Sequence, residues 1–169
     1  MFNFPLELLI ETFKYIEDDY KTLYSCILVN KQWHNINIST LWKDPFVCGD
    51  SIKILINCVL EKDKDFLTRN GIKLTFELLE KPPLYNYARF CTTIIFNNYD
   101  LQFLIKNRKL RNKLVNFILD HSAGIRKFDS CYVDCDLLIN HHRFDNCFQN
   151  LYEIDYGRPY SGEFFDKYL

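Results

Sequence analysis

Five side chains in one short stretch could bind metal: Cys131, Cys135, His141, His142 and Cys147. Thiolates and imidazoles together build tetrahedral zinc centres. The spacing here, C-x3-C-x5-H-H-x4-C, is not that of a zinc finger, and a chain with seven cysteines groups some of them by chance. A zinc-binding protein using the 131–147 cluster stands as an alternative, and the expected cofactor set is none. A basic run, Lys106, Arg108, Lys109, Arg111 and Lys113, overlaps the start of an amphipathic helical pattern. It is expected to be a solvated helix face. A nuclear-import or nucleic-acid patch is the other reading, but no aromatic is interleaved for base stacking. The chain has no glycine-rich phosphate loop and no nucleophile elbow. Cysteine–histidine catalysis would need a low-pKa thiol, which spacing does not reveal. No catalytic residue is assigned, and the chain is not expected to be an enzyme.

Composition bounds the elements that must position these residues. Of the 169 residues, 48% are hydrophobic and 17% aromatic, with five Gly and five Pro. That is enough apolar material for a packed core built mostly of regular structure. The net charge of −1 gives no general attraction to nucleic acid or anionic membranes. Apolar runs such as Ile52 to Leu60 are broken by Lys53 and Asn57, well short of the roughly 18 residues of a membrane span. The N-terminus lacks the features of a secretory signal. The seven cysteines therefore read as reduced thiols, and the expected location is cytoplasmic and/or nuclear.

Three short helical patterns occupy the first forty-odd positions. Pro5 suits a helix start, and Leu6, Leu9, Ile10, Phe13 and Ile16 form a stripe at helical spacing. Asp19 is a candidate N-cap for a second helix, about Tyr20 to Val29, with Leu23, Cys26 and Ile27 inward. Asn30 caps or turns it. A third helix, about Lys31 to Leu41, carries Trp33 and Ile36 on one side and Ile38, Leu41 and Trp42 on another, and Pro45 stops it. Phe4, Leu6, Leu8, Leu9, Val29, Trp33 and Trp42 are more large apolar side chains than so small a unit can hide, so some are expected to face a partner.

This segment resembles an F-box. The resemblance is carried by Phe4-Pro5-Leu6-Glu7-Leu8-Leu9, Ile10, Phe13 and Ile16, by the string Leu23-Tyr24-Ser25-Cys26-Ile27-Leu28-Val29-Asn30-Lys31-Gln32-Trp33-His34, and by Leu41-Trp42. It spans Phe4 to about Phe46, with Phe4 where the family usually has Leu. The resemblance implies docking onto a Skp-type adaptor of a cullin–RING ubiquitin ligase. It assigns the docking face to Pro5, Leu6, Leu9, Val29, Lys31 and Trp33. Phe13, Cys26, Ile27 and Leu41 are assigned to the internal core.

Beyond residue 46, Phe46 to Asp50 reads as a connector. Asp50 or Ser51 can cap a helix holding Ile52, Leu55, Ile56, Val59 and Leu60. Asn70-Gly71 signals a turn. Leu74, Phe76, Leu78 and Leu79 fit a strand or a short helix, and Lys81-Pro82-Pro83 marks a break. Tyr85 to Phe90 fits a short helix, and Thr92 to Phe96 is a β-branched, aromatic strand candidate ended by Asn97-Asn98. A longer helix carries Leu110, Leu114, Phe117 and Ile118.

The last section echoes itself. Ile125-x-x-Phe128-x-Ser130 and Leu151-x-x-Ile154-x-Tyr156 match, Asp129 aligns with Asp155, and Cys91-x-x-Ile94-x-Phe96 is an earlier, degenerate copy. The step suits leucine-rich repeats, whose period is roughly 20–29 residues; an irregular α/β region is the alternative. Apolar residues still accumulate at Phe164-Phe165-Asp166-Lys167-Tyr168-Leu169, so the array is expected to be short or truncated.

The expected fold is α+β, mainly α. A three-helix F-box over 1–46 precedes a short or incomplete leucine-rich-repeat-like α/β region over 47–169. The expected function is that of a substrate-receptor subunit of an SCF-type ligase, binding the adaptor through its first region and an unknown protein substrate through its second, with no nucleic acid or membrane partner. A non-degradative F-box scaffold is the alternative.

Overall fold

The computed structural model describes residues 5–61, 63–74, 76–77, 83, 85–96, 106–129 and 133–155. Phe4, Leu78, Leu79, Lys81, Pro82, Asn97, Asn98, Ser130, Cys131 and Tyr156, and the segment 164–169, lie outside them, as do the expectations placed there. The chain is mixed α and β, mostly helical, and divides into two compact units, 1–43 and 44–169.

The first unit is α1 (Leu6–Lys14), α2 (Tyr20–Ile27) and α3 (Lys31–Leu41). Two side-chain caps set its corners. Asp19 accepts hydrogen bonds from the Thr22 amide at 3.1 Å and the Thr22 hydroxyl at 2.6 Å. Asn30 Oδ1 accepts from the Trp33 amide at 2.9 Å. Each cap satisfies a donor that the first turn of a helix leaves free. Leu9, Phe13 and Cys26 form a buried cluster, against which Ile16, Trp33 and Ile36 pack half-buried. Leu23, Ile38, Leu41 and Trp42 are buried as well.

In the second unit, Pro45–Val47 form a short 3-10 turn leading into α4 (Gly49–Glu61). There follow α5 (Phe66–Arg69), a 3-10 turn at Tyr87–Phe90, β1 (Thr93–Ile94), α6 (Arg108–His121), β2 (Lys127–Asp129), α7 (Cys135–Ile139), α8 (Phe144–Phe148) and β3 (Glu153–Asp155). The three strands form one parallel sheet in the order β1-β2-β3. Ile94, Phe128 and Ile154 stand in one row across it, with Thr93, Lys127 and Glu153 in the next. The positions that echo one another in sequence are thus partners in register. Parallel strands need a crossover between them: α6 supplies the first, α7 and α8 the second. Before β2, Gly124 takes φ +154°, a backbone region that other residues rarely enter.

The core of this unit runs through Ile52, Leu55 and Ile56 of α4, Leu110, Leu114, Val115 and Ile118 of α6, and Ile94 and Phe128 of the sheet, all essentially inaccessible. Phe46 belongs here. It is 2% exposed and meets the Phe96 ring edge-on, with centroids 4.6 Å apart. The boundary expected after residue 46 therefore falls after Lys43, and Phe46 is a core residue, not a connector. No helix among the described residues is long and apolar enough to cross a membrane.

Candidate functional site

The residues assigned to the docking face separate by environment. Pro5, Leu6, Val29 and Lys31 are exposed. Trp33 is half-buried, its ring edge-on to Phe13 with centroids 5.0 Å apart. Leu9 is a correction: it is 4% exposed, inside the cluster with Phe13 and Cys26. On α1 only Leu9 and Phe13 are buried, while Leu6 and Ile10 of the same stripe remain open. In so short a unit the buried arc narrows, and half of a helical stripe stays outside. Among the residues assigned inward, Phe13, Cys26 and Leu41 are buried and Ile27 is half-buried.

Leu6, Leu8 and Ile10 on α1, Tyr15 beyond it, and Tyr24, Leu28 and Val29 at the end of α2 are large, apolar and exposed. Leu28, 69% exposed, joins them although the resemblance assigns it no docking role. The signal was there, because Leu28 and Val29 follow the last inward residue of α2. A groove of about 660 Å³ opens between α1 and α3, lined by Leu6, Ile10, Phe13 and Ile36, with Lys14, Glu17, Gln32 and Thr40 also along it. Apolar walls with polar side chains beside them are a common form of protein-docking surface.

The basic run is a solvated face only in part: Lys106, Arg108 and Lys109 are exposed, Lys113 is half-buried and Arg111 turns inward. Arg108 pairs with Asp134, whose carboxyl this hydrogen bond holds below the usual carboxylate range. Lys113 reaches Asp63 at 2.9 Å and lies over the Phe66 ring, 4.4 Å from its centroid.

Among the described residues, the cysteine and histidines of the 131–147 group do not share one site. Cys147 is buried, and its Sγ donates to the Leu119 carbonyl at 3.3 Å. Cys131 and the Cys135 side chain lie outside the described residues. His141 and His142 instead converge on Asp120. Burial pushes the thiols of Cys26, Cys91 and Cys147 up, and that of Cys58 to about 11. These four therefore stay protonated near neutrality and are poor nucleophiles. No family model, curated protein or solved structure matches the chain.

Proposed function

We propose that residues 1–43 form an F-box-like docking module for a Skp-type adaptor, and that the chain serves as a substrate-receptor subunit of an SCF-type ubiquitin ligase. The observation that carries this reading is a three-helix unit with a complete internal cluster that still exposes Leu6, Leu8, Ile10, Leu28 and Val29. Exposed apolar anchors among polar neighbours bury well against a partner. The reading draws its identity from the residue pattern of the sequence, now with Leu9 moved inward and Leu28 added outward. The second unit would present the target. Its parallel strands, with Ile94, Phe128 and Ile154 in one row, support a leucine-rich-repeat-like arrangement for that role. In such an assembly this chain makes no bonds; it raises the effective concentration of a substrate near the transfer machinery.

The test uses the full chain and a purified Skp-type adaptor. Leu6→Ala with Val29→Ala removes two exposed side chains and should leave the circular dichroism and melt unchanged. Adaptor binding should fall several-fold or more, because anchor residues commonly carry over about 1 kcal/mol each. Trp33→Ala is less clean, since Trp33 also packs on Phe13. Equal binding by the folded double variant, or no binding by the wild type, would overturn the proposal. Loss of binding without any dependent ubiquitylation would favour a non-degradative scaffold.

A further inference from the structure

His141 and His142 stack, with ring centroids 4.7 Å apart and planes inclined by 29°. Both direct Nε2 at the same oxygen, Asp120 Oδ1, from 3.2 Å and 3.7 Å. Asp120 lies in the last turn of α6, and the histidines follow α7. One ligating atom from each of the three lies within 4.8 Å of the others.

We propose that Asp120, His141 and His142 bind a divalent transition metal of the zinc class through two imidazole nitrogens and one carboxylate oxygen, leaving a fourth position for water or a partner's ligand. The donor spacing supports this. Metal bonds of about 2.0–2.2 Å at tetrahedral angles place donors roughly 3.3–3.5 Å apart, and the two distances to Asp120 Oδ1 lie on either side of that. The His142 side chain is 73% exposed, so its ring can rotate to close the remaining edge. An ordinary histidine–carboxylate pair needs one imidazole; two on a single oxygen bring three donor atoms within reach of one ion.

The surroundings contribute in both directions. The C-terminal end of α6 carries partial negative charge and favours a cation. The Arg143 guanidinium opposes one, although it is already held by the carbonyls of Leu119, Asp120 and Ser122. Binding through Nε2 moves the ring proton to Nδ1. That displaces the contact in which Nδ1 accepts from the Arg143 amide, which at 3.3 Å is long and easily given up.

The experiment titrates the full-length, chelator-treated protein with Co²⁺ and then competes it with Zn²⁺. The expected result is one saturable equivalent with cobalt ligand-field bands, no thiolate-to-cobalt charge-transfer band, and displacement by Zn²⁺. His142→Ala should leave the metal-free melt unchanged and weaken binding by at least about tenfold; Asp120→Asn should do the same. The proposal is overturned by absence of saturable binding, by a thiolate band, or by wild-type affinity in His142→Ala. None of these outcomes depends on adaptor binding.

Discussion

The two units handle apolar side chains differently. In 44–169, α4, α6 and the sheet enclose their large residues almost completely, and among the described residues only Val47, Tyr85, Ile139 and Tyr152 remain as large exposed hydrophobics. In 1–43, a much shorter segment, Leu6, Leu8, Ile10, Tyr15, Tyr24, Leu28 and Val29 are exposed. Surface scales more slowly than volume, so three short helices have little interior to offer. What the larger unit turns into stability, the smaller one leaves exposed. The difference gives similar residues distinct surroundings: the buried leucines of α4 and α6 are structural, whereas a leucine on α1 is buried or exposed depending on one step around the helix.

The sharpest way to break that contrast is at the core of the larger unit. Phe46→Ala should cost about 3–5 kcal/mol, the usual range for a buried phenylalanine, measured by urea denaturation. A loss below about 1 kcal/mol would return Phe46 to the connector role suggested by its sequence. Next, Leu23→Ala, at a site 1% exposed, should cost about 2–5 kcal/mol. Leu28→Ala, five residues further on at the exposed end of α2, should stay within about 0.5 kcal/mol. Equal losses for the two would erase the division between core and surface in the small unit.

A smaller effect tests the sheet. Asp129 is 1% exposed, and its Oδ2 accepts from the Phe96 amide at 3.3 Å. Asp129→Ala should cost about 1–3 kcal/mol by removing that buried acceptor, seen as a lower denaturation midpoint. The smallest effect is at a cap. The Thr22 hydroxyl and amide hold the Asp19 carboxyl below the usual carboxylate range. A depressed folded-state pKa contributes stability above the unfolded-state value and loses it as pH falls through the folded one. The melting difference between wild type and Asp19→Ala should therefore be full near neutral pH and close in acid. A difference that persists unchanged in strong acid would mean the cap acts without its charge.

Much of the local structure was legible because it depends on short-range chemistry. Asp19 announced the start of α2, since a side-chain acceptor beside free amides acts over three residues; Asn30, expected to close α2, instead caps the start of α3. The spacing of Leu110, Leu114 and Ile118 marked α6 as a buried helix. The alignment of Ile94, Phe128 and Ile154 foretold their row in the sheet, because repeated strands must bury the same side. The fates of Leu9 and Phe46 were not legible. Phe46 follows a proline at a break in the helical pattern, and Leu9 shares its helical stripe with residues that stay exposed; periodicity gives a face without saying how wide the buried part of it is.

The sequence by itself determined where α1 to α4 and α6 lie, which positions repeat, and that the N-terminal segment carries more apolar surface than it can bury. Those properties follow from residue type and spacing along the chain. Only the tertiary structure decided that Leu9 turns inward while Leu6 stays out, that Arg111 is buried within a basic run, and that His141 and His142 meet Asp120 and not Cys147. Each of these depends on which distant residues arrive at the same place, and that is set by packing of the whole unit, not by spacing within one segment.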